Sequence, residues 1–274
     1  MPAIDVNGLR FAVIDEGQGQ GAPVLLLHGF PDTAYLWRDQ VRALVARGHR
    51  VIAPDLRGRG GTEQPARVED YAMALLVRDV AALLDALGIE RAHVVGHDWG
   101  AALAWATAIR LPQRVDHLVT ISVGHPGTGG RPTLEELEKG WYRLLFQFAG
   151  VAEALLQQDD WYLVRTLLAG AGDLERYIAD LAQPGALTAA LNWYRANLPP
   201  QRLLGGPGPL PPVQAPTLGI FGAHDRYLSE AAMCRSGEFV AGPWRYERFA
   251  EAGHWIPREE PERLNALLLD FLPG

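Results

Sequence analysis

A single cysteine, Cys234, among 274 residues excludes an internal disulfide and any cysteine-bound metal cluster. It reads as a packed or surface thiol. Lysine is nearly absent as well, outnumbered by arginine 24 to 1, which reflects the base composition of the coding sequence and carries no function. No run of basic residues occurs, and the net charge of −7 disfavours nucleic acid and anionic membranes as partners. No apolar run reaches the length of a membrane span, and Met1 to Phe11 lacks the basic start and apolar core of a secretory leader. A cytoplasmic protein acting on small molecules is therefore expected. His28, His93 and His97 show no metal-ligand spacing, and no HExxH or paired-carboxylate loop occurs, so neither metal nor organic cofactor is expected. The run Gly17-Gln18-Gly19-Gln20-Gly21 joins two strands, lacks both phosphate-loop spacings and a following Lys-Ser/Thr, and reads as a flexible hairpin connection.

What the chain does have is alternation. Ile4 to Val6 and Leu9 to Asp15 flank Asn7-Gly8, a two-residue hairpin signal. Val24 to Leu27, Val51 to Ala53, His93 to Val95, Val115 to Ile121 and Thr217 to Phe221 then alternate with helical patterns, which implies a mostly parallel sheet flanked by helices. Leu76, Val80, Leu83, Leu84 and Leu87 recur at helical spacing up to Gly88, and Leu264, Leu267, Leu268 and Phe271 do so after Pro261. The alternation stops between about Pro126 and Val213, where helical segments rich in Trp and Tyr take over. An α/β core of residues 1–125 and 214–274 with an inserted helical cap of residues 126–213 is the expected organisation. Seven prolines between Pro199 and Pro216 make a stiff return linker.

Gly96-His97-Asp98-Trp99-Gly100 lies between an apolar strand pattern and the alanine-rich stretch Ala101 to Ile109. Strand, glycine-bounded tight turn and helix form the setting of a nucleophile elbow, whose nucleophile is usually serine. Here it is aspartate. Serine attacking a saturated carbon would give an ether that water cannot cleave, whereas aspartate, ionised at neutral pH, gives an ester that water can open. Attack on an sp³ carbon followed by ester hydrolysis is the chemistry that fits.

Hydrolysis of such an ester needs a base, and the base needs an orienting acid. Gly222-Ala223-His224-Asp225 leaves the end of the strand pattern Thr217 to Phe221, where open parallel sheets place their active groups, and Asp225 reads as the acid. The loop Ser122-Val123-Gly124-His125 after the preceding strand offers no carboxylate. Twenty-nine residues beyond Asp225, His254 in Gly253-His254-Trp255 follows the short strand Arg245 to Phe249 and reads as the base.

Taken together, His28-Gly29-Phe30-Pro31-Asp32, Asp55-Leu56-Arg57-Gly58-Arg59-Gly60, Gly96 to Gly100, Asn192-Trp193-Tyr194-Arg195, Asp225 and Gly253-His254 resemble the α/β-hydrolase-fold epoxide hydrolases over nearly the whole chain, with haloalkane and fluoroacetate dehalogenases as relatives. The resemblance implies an α/β-hydrolase fold with an inserted cap and an oxyanion hole formed by the N–H groups of Phe30 and Trp99. It treats Asp55 and Arg57 to Gly60 as structural. It further implies two cap tyrosines that hold and protonate an epoxide oxygen: Tyr194 in Asn-Trp-Tyr-Arg, and Tyr142 in Trp141-Tyr142-Arg143-Leu144-Leu145-Phe146-Gln147, with Tyr162 and Tyr177 as alternatives to Tyr142.

Under that resemblance Asp98 opens an epoxide to a hydroxyalkyl ester, and water activated by His254 and Asp225 releases a vicinal diol. The partners are a small apolar or aromatic epoxide and water. Phe30, Trp99, Trp141, Trp193 and Trp255 are expected in an apolar or aromatic substrate pocket. A homodimer stays open. Haloalkane dehalogenases share the aspartate but place asparagine where Phe30 stands, and fluoroacetate dehalogenases carry arginines after the nucleophile, where Trp99, Ala101 and Ala102 offer none. A ligand receptor built on a hydrolase fold is the alternative from a different class.

Overall fold

The computed structural model describes residues 1–19, 21–130, 132–205 and 208–273. Strands β1 (Ala3–Val6) and β2 (Leu9–Glu16) form the hairpin expected from Asn7-Gly8, whose φ angles of 50° and 80° are the paired positive values that a two-residue turn needs. β3 (Val24–Leu27), β4 (Val51–Pro54), β5 (Ala92–His97), β6 (Val115–Ile121), β7 (Thr217–Gly222) and β8 (Trp244–Phe249) complete one eight-stranded sheet of order β1-β2-β4-β3-β5-β6-β7-β8. From β4 to β8 all neighbours are parallel, while β2 joins β4 antiparallel.

This order corrects one expectation. β2 and β3 are not paired, because β4 lies between them, so the glycine run from Gly17 is a crossing connection and not a hairpin. Its glycine is steric: a Cβ on Gly17 would stand 2.2 Å from the carbonyl oxygen of His49 in the chain entering β4. Gln20 within that run lies outside the described residues, as do Arg131, Gly206, Pro207 and Gly274 of the expected cap, linker and core.

The helices are α1 (Arg38–Ala46), α2 (Met73–Ala86), α3 (Trp99–Arg110), α4 (Leu134–Lys139), α5 (Trp141–Leu145), α6 (Val151–Leu167), α7 (Leu174–Leu181), α8 (Ala186–Asn197), α9 (Glu230–Arg235), α10 (Ile256–Glu259) and α11 (Pro261–Phe271). Among the described residues none is long and apolar enough to cross a membrane. α3 packs across β3, β5 and β6, α2 packs on α3, and α1 on α11. All four side chains of β3 are buried, as a parallel strand covered on both faces requires, each contributing roughly 1.5–3 kcal/mol of apolar burial. Helices α4 to α8 lie between β6 and β7, and α6 is broken at Gln158 to Trp161, where Asp159, Asp160 and Trp161 take positive φ.

Candidate active site

The C-terminal ends of β5, β7 and β8 face one region, and the chain leaves each with a chemically distinctive residue: Asp98 directly after β5, Asp225 in the loop after β7, His254 in the loop after β8. Asp98 has φ 52° and ψ −122°, a conformation that costs a non-glycine residue about 1–3 kcal/mol. The surroundings hold it there. α3 begins at the next residue and lies so close to β3 that a Cβ on Gly100 would stand 1.9 Å from the carbonyl oxygen of Leu27.

Asp98 Oδ1 accepts a hydrogen bond from the Phe30 N–H at 2.7 Å, and the nearby Trp99 N–H also favours the charged carboxylate. Oδ2 faces His254 Nε2 at 3.7 Å. On the other side of the imidazole, His254 Nδ1 lies 2.8 Å from Asp225 Oδ2, while Asp225 Oδ1 accepts from the N–H groups of Tyr227 at 2.8 Å and Leu228 at 3.0 Å. The chain of contacts thus runs from the Phe30 N–H through Asp98 and His254 to Asp225. His97 braces it from below, with Nε2 2.8 Å from the carbonyl oxygen of His254.

Burial and charge act against each other throughout. Burial works against an imidazolium at His254, yet Asp225, Asp98 and Asp32 outweigh it and lift the group to about 9. Burial likewise raises Asp98, opposed by His254 and by the N–H groups of Phe30 and Trp99. For Asp225 the opposing forces win: despite its burial, His254 and two backbone donors hold the carboxyl below its usual range. A carboxylate facing an imidazolium is the state that these contacts favour at neutral pH.

The helices between β6 and β7 roof this arrangement with aromatic rings. Tyr194 on α8 meets Trp99 edge-on at 5.0 Å between centroids and Phe30 at 5.6 Å. Tyr142 on α5 lies 6.0 Å from Tyr194. Burial is the main cause that raises both phenols, so both stay protonated hydrogen-bond donors at neutral pH, and the Asp98 charge pushes each the same way. Among the described residues neither hydroxyl has a hydrogen-bond partner at standard geometry, although Arg143 beside Tyr142 and Trp99 beside Tyr194 oppose the effect of burial. A narrow cleft runs beside Phe30 and Trp99 and is bounded by Trp193, Ala190, Leu56 and Arg59.

Asp98, His254, Asp225, Phe30, Trp99, Tyr142, Tyr194, Trp193 and Trp255 therefore come together. Trp141 does not: placed in the pocket by its sequence, it is 45% exposed on the outer side of α5, because successive helix positions point about 100° apart and Tyr142 takes the inward one. Tyr162 is 65% exposed beyond the break in α6. Tyr177 is buried, but it stacks on Trp255 and faces Asp32.

Asp32, Arg59 and Tyr227 belong to this neighbourhood without having been singled out. Burial lifts Asp32 to about 7 against the pull of Tyr177, of the Trp255 indole N–H at 3.1 Å and of Arg59. The loop Asp55 to Gly60 is structural in part: Asp55 accepts from the N–H groups of Ala34 and Gly61, and Arg57 pairs with buried Asp79. Its Arg59, however, reaches the cleft below the Phe30 ring. Only the full HGFPD and DLRGRG strings, taken as one packed unit, carried a signal for this.

Comparison with known proteins adds independent findings. Residues 22–261 match the family described as alpha/beta hydrolase fold. Epoxide hydrolase A of Mycobacterium tuberculosis is 34% identical over 99% of the chain and 96% of that protein. Epoxide hydrolase 3 of Xenopus tropicalis is 35% identical over 97% of the chain and 75% of that protein. Among solved structures, epoxide hydrolase A from Mycobacterium thermoresistibile superposes with a TM-score of 0.84 at 32% identity, covering 100% of this chain and 98% of that one. A variant epoxide hydrolase from Bacillus megaterium, complexed with its product (R)-3-[1]naphthyloxy-propane-1,2-diol, superposes with a TM-score of 0.87 at 28% identity, covering 98% and 99%.

Proposed function

The chain belongs to the epoxide hydrolases of the α/β-hydrolase fold, and from that membership we propose that it hydrolyses an apolar or aryl epoxide to a vicinal diol through an ester on Asp98. The observation that carries the reading is the division of labour within the Asp98 carboxylate. Phe30 N–H holds Oδ1, which leaves Oδ2, on the His254 side, as the attacking oxygen. Helices α4 to α8 act as the cap, and Tyr142 and Tyr194 hydrogen-bond the epoxide oxygen from above.

In the first half-reaction Oδ2 attacks a ring carbon, the C–O bond breaks, and the oxygen leaves as an alkoxide protonated by a tyrosine. Ring strain and two fixed donors lower that barrier. Replacing the tyrosine proton draws, in the overall balance, on the His254 imidazolium. Esterification also removes the negative charge of Asp98, one of the charges that lift His254 to about 9, so the imidazole becomes neutral when a base is needed. In the second half-reaction His254, oriented by Asp225, takes a proton from water as it attacks the ester carbon. Phe30 and Trp99 N–H groups hold the developing oxyanion. Collapse returns a proton to the departing alkoxide, frees the diol and restores the Asp98 carboxylate with His254 protonated.

Tyrosine donors favour this reading over dehalogenation. A halide leaves without needing a proton, whereas a ring-opened alkoxide must receive one. A naphthyl ether diol bound to the Bacillus megaterium relative and the rings of Phe30, Trp99 and Trp193 both point to an aryl substrate class. The test is a panel of aryl and alkyl epoxides with diol detection, run beside haloalkanes with halide detection. Diol from aryl epoxides is expected; halide release without any diol would overturn the assignment.

A further inference from the structure

We propose that His93, Asp116 and His117 form a binding site for a divalent cation of the zinc class, at the end of the sheet opposite Asp98. The argument starts from strand register. Ala92 pairs with Val115 and Val94 with Leu118, so a single residue of β5, His93, faces two of β6, Asp116 and His117. In a regular strand those two side chains would point to opposite faces, and the bulge turns both toward His93. Asp116 Oδ2 lies 3.3 Å from His93 Nδ1 and 3.0 Å from His117 Nδ1, and all three atoms fall within 4.8 Å of one another. A tetrahedral cation about 2.0–2.2 Å from each ligand places its ligands about 3.3–3.6 Å apart. The two distances to Asp116 already approach that spacing, and the two imidazole nitrogens, within 4.8 Å of each other, would draw together around the ion.

A second observation makes this more than a cluster. His93 is 1% exposed, and among the described residues its Nδ1 has no hydrogen-bond partner. Its Nε2 lies 3.2 Å from the carbonyl oxygen of Pro273, which can only accept, so Nε2 carries the hydrogen and Nδ1 presents a bare lone pair to a carboxylate oxygen. Two lone pairs facing each other in a buried place call for something positive between them. The other carboxylate oxygen, Oδ1, is held by Arg91 Nη2 at 3.1 Å, which aims Oδ2 inward. Asp116 and His117 keep 28% and 20% of their side-chain surface exposed, enough for entry and for a water at the fourth position. Two imidazoles and one carboxylate suit zinc and its neighbours over magnesium or calcium, which prefer oxygen. The Arg91 charge weakens the site.

Such an ion would tie β5 to β6 and, through His93 and the contact of the His117 ring with Phe271, to the end of α11. The test is titration of chelator-treated protein with zinc chloride, followed by calorimetry and by thermal unfolding. One ion per chain and a raised midpoint are expected. In His117→Ala and in Asp116→Asn, each shown to be folded by circular dichroism, affinity should fall at least ~10-fold and the rise in midpoint should shrink. Epoxide turnover of both variants should match the parent. Absence of zinc binding would overturn the proposal and leave a shared proton at this place. Binding undiminished in both variants, or binding lost in His254→Gln, would overturn it too, the latter by placing the ion beside Asp98.

Discussion

Two histidine–aspartate pairs stand at opposite ends of β5, and they have opposite electrostatic fates. His254 Nδ1 is 2.8 Å from Asp225, and its imidazole is lifted to about 9; His93 Nδ1 is 3.3 Å from Asp116, and its imidazole, governed by burial, falls to about 4. Both rings are buried, so desolvation alone does not separate them. The difference lies in what surrounds each ring. Three carboxylates, Asp225, Asp98 and Asp32, converge on His254, and Asp225 is itself held charged by two backbone donors. His93 has one partly exposed carboxylate, shared with Arg91, and a second histidine beside it. A His–Asp contact by itself is therefore no catalytic dyad. A buried imidazole is lifted only where enough ordered negative charge accompanies it.

Removing the charge that matters most gives the largest expected effect. Asp98→Ala deletes both the proposed nucleophile and one of the three carboxylates, and steady-state turnover of an aryl epoxide should drop by at least ~10⁴-fold with no covalent adduct in intact-protein mass spectra. Asp116→Asn, the corresponding loss at the other end, should leave turnover as it was. Next in size is His254→Gln. Alkylation survives while ester hydrolysis slows by ~10²–10⁴-fold, so protein carrying the added mass of substrate should accumulate. Turnover by this variant at the parent rate would erase the contrast between the two ends of β5.

Smaller still is the effect of a single donor. Tyr142→Phe or Tyr194→Phe should slow alkylation by about 10 to 10³-fold in pre-steady-state kinetics and leave deacylation nearly unchanged. Exposed Tyr162→Phe is the control and should be neutral. Damage from Tyr162→Phe with Tyr142→Phe neutral would displace α5 from the site.

The smallest effect is on stability. Folding raises His254 from 6.5 to about 9, so the stabilisation that its imidazolium provides is complete below pH 6.5 and is lost as pH rises through about 9. Denaturant unfolding of the parent should show a loss of roughly 1–3 kcal/mol across that window that His254→Gln does not share. Equal pH dependence in the two proteins would mean that the three carboxylates do not hold the imidazolium.

The legibility of the molecule in its sequence follows how local each signal is. The Asn7-Gly8 hairpin, the strand at Val115–Ile121 and the helix stopping before Gly88 rest on adjacent residues or on one period, and the structure has them. The turn Gly96 to Gly100 was readable because Asp98 and its packing glycines are contiguous. The placement of Asp225 and His254 beside Asp98 was readable from their order and from the strand patterns just before them. Neighbour relations between strands were not: nothing within Gly17 to Gly21 tells that β4 lies between β2 and β3. Trp141 and Tyr142 differ by one position, and the short α5 gives too few turns for its inner face to be identified from periodicity. The juxtaposition of His93 with Asp116 and His117 depends on a one-residue bulge between two strands, which neither strand reveals by itself.

That Asp98 is both nucleophile and ester is the claim on which the catalytic end of the sheet depends, and isotope transfer tests it most directly. With enzyme in excess over an aryl epoxide, a single turnover in ¹⁸O-water should yield diol largely free of label, because the oxygen delivered comes from Asp98, and proteolysis followed by mass spectrometry should find one ¹⁸O in the peptide bearing Asp98. Diol labelled in that first turnover, with the Asp98 peptide unlabelled, would mean that water attacks the epoxide directly and would contradict the covalent mechanism.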